Sequence, residues 1–156
     1  MSEAGSDSSR EDSSREDSSR EDSFREFKSH FDANPYHKVL GITVLERRPG
    51  YGKIALRKDE NTPGGIGGSV HGGVLAAMVD IVMLVALFAE MREGEQPAGT
   101  AELSITYLRQ THGEHIYAQA NVIKRGRQLS LVEVDITDDD GRLCARGRTL
   151  YAFRAA

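Results

Sequence analysis

One cysteine, four prolines and no tryptophan mark this chain of 156 residues as poor in several residue types. The lone thiol, Cys144, excludes an internal disulfide framework and a cysteine-cluster zinc site. No apolar run reaches the roughly 18 residues of a membrane helix. The longest, residues 74–89, is interrupted by an aspartate. The N-terminus is rich in Ser, Asp and Glu and lacks the apolar stretch of a secretory signal. A soluble, cytoplasmic protein with no membrane partner is therefore expected. Excess positive charge is missing as well. Of 24 acidic residues and 20 Lys and Arg, eight and three respectively fall within residues 1–23, leaving 16 acidic and 17 basic residues elsewhere. A nearly neutral body lacks the basic surface that sequence-independent nucleic-acid binding requires, so no nucleic-acid partner is expected. The length suits one domain.

What is present begins with a repeat. Ser8-Ser9-Arg10-Glu11-Asp12 recurs over residues 13–17 and 18–22, then decays. A period of five matches neither helix nor strand, and the repeat holds no apolar residue to bury, so residues 1–23 read as a disordered tail. Glu11/Arg15, Glu16/Arg20 and Glu21/Arg25 are favourable i,i+4 pairs worth about 0.2–0.5 kcal/mol each, enough for transient helix. The tail is either a solubilising or phosphorylatable arm or a solvated segment without a role.

Residues 24–156 read as the folded domain. Phe24, Phe27 and Phe31 predict a short amphipathic helix over 24–32, ending before Asn34-Pro35. Strands follow over 41–48 and 52–58, then a loop with six glycines between positions 64 and 73, then an apolar helix over 72–91. Four period-2 runs complete the chain, around Leu103–Tyr107, Ile116–Val122, Val132–Ile136 and Leu143–Phe153. Turns at Gly113, Gly126 and Asp138–Gly141 suggest that these four are hairpin-linked neighbours in an antiparallel sheet. A helix apolar on nearly every face must be buried all round. The expected fold is α+β, a curved antiparallel sheet wrapped around one central helix. One sheet covers one side of that helix, so a second subunit is expected to cover the rest.

Asp80 is the one charge in that helix. A buried carboxylate costs several kcal/mol unless it finds a partner or a proton. It is bonded to a backbone or hydroxyl group, or faces a water-filled crevice, or is a general base or nucleophile. Gly72 and Gly73 at the helix start offer unpaired N–H groups and the positive end of the helix dipole, an oxyanion site. Gly72 and Asp80 lie about 12 Å apart along the axis, too far to serve one substrate from one helix. Two antiparallel helices meeting across a dimer bring the start of one beside the middle of the other.

His71-Gly72-Gly73 followed by Asp80 resembles the hotdog-fold acyl-CoA thioesterases, in particular the branch with phenylacetyl-CoA-type (PaaI-like) and small human mitochondrial thioesterases. Asn34-Pro35-Tyr36 to Leu40-Gly41-Ile42, the strand residues 103–108, Lys124-Arg125-Gly126-Arg127 and Gly141-Arg142-Leu143 fit the same pattern. The resemblance covers roughly residues 30–155. It implies hydrolysis of acyl-CoA without metal or organic cofactor, by a homodimer or dimer of dimers. Asp80 would activate water or attack the thioester carbonyl, the Gly72 amide would polarise that carbonyl, and Gly73 would lie against the substrate. His71 would orient the loop or the thioester sulfur, and Thr100 would position the water. Relatives often carry an asparagine six residues before the histidine. Here that position is Gly65, and either the nearest asparagine, Asn61, is brought back by the glycine-rich loop to bind substrate or the role is unfilled.

Lys124, Arg125 and Arg127 form a basic turn that either meets CoA phosphates or is a solvated hairpin. His112-x-x-His115 lacks a third ligand, the glycines at 64–68 are not a P-loop, and no GxSxG occurs. Cys144 reads as a packing residue. Two functions stand: an acyl-CoA thioesterase, or a non-catalytic acyl-CoA-binding module using the same groove. A hotdog hydratase is disfavoured, because His71 and Asp80 lie about 180° apart around the helix.

Overall fold

The computed structural model describes residues 8–155, with side chains over 18–154. Two helices lead the chain, α1 (Ser8–Ala33) and α2 (Pro35–Leu40), followed by strands β1 (Ile42–Arg48) and β2 (Tyr51–Arg57). The central helix α3 (Gly72–Leu87) comes next, then β3 (Glu95–Tyr107), β4 (His115–Arg125), β5 (Leu129–Thr137) and β6 (Leu143–Ala155). All six strands form one antiparallel sheet in the order β1-β2-β4-β5-β6-β3. The sheet curls around α3, the hotdog arrangement expected. Its inward side chains, among them Val44, Ile54, Leu56, Ile116, Val132 and Ile136, are inaccessible to solvent and meet Met78, Val82 and Met83 of α3.

Two glycines let the sheet close on the helix. A Cβ on Gly147 of β6 would lie 2.6 Å from a Val79 methyl, and one on Gly52 of β2 would lie 2.9 Å from the Ala86 nitrogen. With its short 3-10 extension the helix spans Gly72–Glu90, long and apolar enough to cross a membrane. Ten of the sixteen α3 residues are buried within the domain instead.

Three elements differ from the sequence expectation. The four C-terminal strands are not successive neighbours: β3 lies beyond β6 at the sheet edge, paired along its length from Glu95↔Ala155 to Tyr107↔Ala145. Period-2 alternation marks a strand but not its partner, so the β3–β4 connection reads wrongly as a hairpin. Helix α2 is an addition. Asn34 caps it, accepting from the Tyr36 N–H at 2.9 Å, Pro35 opens it, and Gly41 closes it in the left-handed region. Finally, α1 begins at Ser8 rather than at 24. Once the phenylalanine turns are docked, each further residue extends an existing helix without a new nucleus. Among the described side chains Arg25 pairs with Asp22 at 3.3 Å rather than with Glu21, and the pairs 11/15 and 16/20 lie outside them. The tail expectation for residues 1–7 lies outside the described residues.

Phe31 is buried, and Phe24 and Phe27 pack against the core from α1. In α3 the least covered residues are Gly72, Gly73, Ala76, Ala77, Asp80 and Leu84. From Gly73 on, the spacing of 0, 3, 4, 7 and 11 puts them on a single stripe. The helix is therefore not buried all round by its own sheet.

Candidate active site

Asp80 sits in the middle of that stripe, half-buried. Its Oδ1 accepts a hydrogen bond from the Thr100 hydroxyl at 2.7 Å. Thr100 comes from β3, between two register shifts at Pro97/Gly99 and Thr100/Glu102. Gly99 has φ +117, a conformation that side chains rarely adopt. Such bulges re-aim side chains, and here one side chain reaches the helix. Oδ2 of Asp80 accepts no hydrogen bond among the described residues. Thr100 donates its one hydroxyl proton to Asp80, so toward a water it can only accept. Tyr151 of β6 lies close by: burial pushes its phenol up, and the Asp80 carboxylate adds to that push. Its ring meets Phe88 and Phe153 edge-on.

The start of α3 is built differently. His71 is the N-cap, and its Nδ1 accepts from the Gly73 N–H at 2.9 Å. A neutral imidazole accepting at Nδ1 carries its proton on Nε2. The Gly73 amide, expected to meet substrate, is thus taken by the cap. The Gly72 N–H has no acceptor among the described residues. The Tyr107 hydroxyl donates to the Gly72 carbonyl at 2.8 Å, and its ring lies so close that a Cβ on Gly72 would sit 3.1 Å from it. Sequence reasoning named Tyr107 only as the end of a period-2 run. Its meeting with Gly72, 35 residues away, depends on the position of β3 that alternation does not encode.

A groove of about 560 Å³ runs between His71, Gly72 and Gly73 on one side and residues 107–111 on the other, with Ile66 on its rim. Ile66 is 81% exposed and Leu108 52%, so the groove offers apolar surface to a ligand. Asp80, Thr100 and Asn61 do not line it. Within one chain the carboxylate and the free amide remain at separate places, as their separation along the helix requires.

Asn61 lies in an exposed turn where its N–H donates to Asp59 Oδ1 at 2.8 Å. Gly65, at the position where the resemblance expects asparagine, lines the groove in close quarters. A Cβ there would lie 2.8 Å from Ser69 Oγ and 3.1 Å from the Val70 carbonyl. Arg125 is turned inward. It pairs with Glu95, donates to Ser130 Oγ at 3.1 Å and stacks 3.9 Å from the Phe153 ring centroid. The paired side chains are 14% and 7% exposed, so Arg125 is held by the protein, while Lys124 and Arg127 remain on the surface. His112 contacts Gln110, and His115 faces Asp139 at 3.7 Å. Burial pushes the Cys144 thiol up, which suits a packing role.

Comparison with known proteins bears on this arrangement. A family model described as the thioesterase superfamily matches residues 67–145, the stretch from the groove loop through β5 into β6. Acyl-coenzyme A thioesterase 13 of Homo sapiens is 33% identical over 124 residues, 78% of this chain and 86% of that protein. The crystal structure of zebra fish thioesterase superfamily member 2 aligns with TM-score 0.67 and 26% identity, covering 84% and 96% of the two chains. A thioesterase family protein from Silicibacter pomeroyi shares the fold, with TM-score 0.73, 23% identity and coverage of 82% and 95%. A half-chain family match and a relative one-third identical over three quarters of the sequence agree with the sheet and its central helix: the chain belongs to the thioesterase superfamily.

Proposed function

We propose that the protein hydrolyses acyl-CoA thioesters to free acid and CoA at a site shared between two copies of the chain. The observation that carries this reading is the placement of the Asp80–Thr100 pair on the uncovered stripe of α3. The free Gly72 amide lies about 12 Å away on the same helix, too far for one chain to use both on one carbonyl. An antiparallel partner helix would bring its own Gly72 beside Asp80.

In the resulting site the thioester oxygen accepts from the Gly72 N–H at the positive helix end. Water, held by Thr100 Oγ1 and Asp80 Oδ2, gives a proton to Asp80 as its oxygen attacks the carbonyl carbon. Collapse breaks the C–S bond, and the departing CoA thiolate takes up that proton. Alternatively, Asp80 itself attacks and the resulting anhydride is hydrolysed. Label found in the Asp80 carboxylate after a single turnover in ¹⁸O-water establishes the anhydride, since direct water attack puts label only into the acid product. His71 Nε2–H lines the groove where the sulfur would pass. Lys124 and Arg127 supply surface charge for the CoA phosphates, with Arg125 holding that turn from inside, while Gly73 lies exposed on the groove wall where substrate would pass. The acyl group, aromatic as in the phenylacetyl-type branch or aliphatic, is read by a panel of CoA esters.

The test is complementation. Asp80→Asn should lower turnover about 1000-fold, measured as free thiol. Gly72→Pro removes the amide proton at the first helical position, where proline is tolerated and where His71 (φ −61, ψ 137) suits a following proline. It needs the Tyr107 ring to give by a few tenths of an ångström. Mixing the two inactive chains should restore activity through one intact site per heterodimer. Failure to do so, with heterodimers formed, would remove the shared site. A second reading, a non-catalytic acyl-CoA-binding module, is favoured by the side-chain-free Gly65. It expects acyl-CoA to raise Tm with no thiol released.

A further inference from the structure

The repeat that the thioesterase reading leaves unused has a chemical regularity. Ser8, Ser9, Ser13, Ser14, Ser18, Ser19 and Ser23 each have a Glu or Asp three residues later. A protein kinase with a basic substrate cleft reads a carboxylate at a fixed distance from its acceptor hydroxyl through charge-assisted hydrogen bonds. Two of these serines also face something. Ser19 and Ser23 lie one turn apart on α1 and line a groove of about 630 Å³ between that helix and the β1–β2 hairpin. Its other wall carries Arg47 and Arg48, and Arg20 lines it from the helix.

Arg47 is a guanidinium short of anions. Its Cζ lies 4.1 Å from the Phe27 ring centroid, and one nitrogen donates to the Phe88 carbonyl at 2.6 Å. Its Nε is shielded from solvent without an acceptor, and no carboxylate is within ion-pair distance among the described residues. Burial pushes its pKa down, as expected where nothing offsets its charge. Among the described residues Arg48 is held by an exposed pair with Glu46 at 3.3 Å and by the Tyr51 ring. A phosphate dianion outcompetes a single carboxylate for such a site.

We infer that Ser19 and Ser23 are phosphorylation sites for an acidic-directed serine kinase, and that their phosphates dock on Arg47 and Arg48, pinning α1 to the β1–β2 hairpin. In the modification the serine Oγ attacks the γ-phosphorus of ATP. Its proton passes to the kinase base, the bond to the β-phosphate oxygen breaks, and ADP leaves. Both serines are exposed and lie outside the phenylalanine-anchored part of α1, where local opening to reach a kinase cleft is cheapest.

Two measurements on the full chain test this. First, the protein is incubated with an acidic-directed serine kinase and MgATP, and phosphopeptides are mapped. Phosphate at Ser19 and Ser23 is expected, and its absence from both overturns the modification. Second, phosphoserine is installed at both positions during translation, which makes the docking test independent of any kinase. Amide hydrogen exchange over residues 18–28 should slow about tenfold relative to the unmodified chain. The effect should shrink in Arg48→Gln and disappear near 1 M salt. Unchanged or faster exchange, or slowing that survives both Arg48→Gln and salt, overturns the docking.

Discussion

The two edges of the sheet are treated differently. At one edge, α1 lies over β1 and attends to its backbone: Lys28 Nζ donates to the Val44 carbonyl at 3.0 Å, and Asp32 Oδ1 accepts from the Val44 N–H at 3.4 Å. The same two side chains pair at 2.8 Å, and Thr43 donates to Asp32 at 2.9 Å. At the other edge, β3 runs for 13 residues with nothing on its outer side among the described residues, and most of its side chains are exposed. An unpaired edge of that length invites another strand. The bare edge and the uncovered stripe of α3 both involve the residues of the candidate site, Thr100 and Asp80. On the proposed reading, a second copy would meet the chain at the edge it leaves open.

The largest effect should come from spoiling the stripe. Ala76 is half-buried on it, one turn before Asp80. An arginine there can reach solvent in a lone chain but is trapped, unpaired, between two packed helices, at a cost of about 3–5 kcal/mol. Ala76→Arg should give a folded monomer by light scattering and circular dichroism, with thioesterase activity lost. A dimer of unchanged affinity would mean that the open side is not where copies meet.

Next in size is the anchor of the open edge. Glu95 starts β3 and Arg125 ends β4, two strands that are not neighbours. Arg125→Ala leaves a carboxylate 7% exposed with only the Arg92 N–H at 3.2 Å, which should cost about 3 kcal/mol, or roughly 10 °C in Tm. Arg125→Lys should recover part of it, since one ammonium cannot replace both the fork and the stack on Phe153. Thermal melts in low salt measure both.

Much of this molecule is legible in its residues. The α3 run announces a buried helix, and its single aspartate and leading glycines mark out the candidate site, because both break an otherwise uniform pattern. The strand ends fall within a few residues of expectation, where Pro49-Gly50 and Gly141 punctuate. Legibility fails where a contact joins distant positions. Nothing local says that β3 passes β4 and β5 to pair with β6, and the Tyr107–Gly72 and Arg125–Glu95 meetings are consequences of that one fact. The inward turn of Arg125 was hidden because a basic turn looks the same whether its charge faces water or a buried glutamate. Helix α2 is the opposite case. Its cap, its proline and its closing glycine were all in view at Asn34, Pro35 and Gly41, and six residues are simply too few for a periodic signal.

A smaller effect separates the edges by pH. Burial pushes the Asp32 carboxyl up, but the hydrogen bonds from Lys28 and Thr43 overcome it and hold the group below its ordinary value of 3.8. A depressed folded pKa gives stability that is complete above the unfolded value and is lost as pH falls through the folded one. The docking of α1 on β1 should therefore be pH-independent above about 5 and weaken below about 4. Lys28→Met should remove most of that dependence. Glu95, also held low against burial by Arg125, ties the start of β3 to the same acid window, so the test reads the edges separately by hydrogen exchange at residues 24–33 and 95–107.

The smallest effect concerns the oxyanion end. Tyr107→Phe keeps the ring against Gly72 and deletes only its hydrogen bond to the Gly72 carbonyl. That carbonyl belongs to the peptide after the proposed donor, so its loss loosens the angle of the helix start without removing the Gly72 N–H. One neutral hydrogen bond at a partly exposed site is worth about 1 kcal/mol, so kcat should fall about fivefold with KM nearly unchanged. Tyr107→Ala, which also uncovers the groove wall, should raise KM as well. If both variants change KM alone, Tyr107 lines the groove for the acyl chain and has no part in aiming the amide.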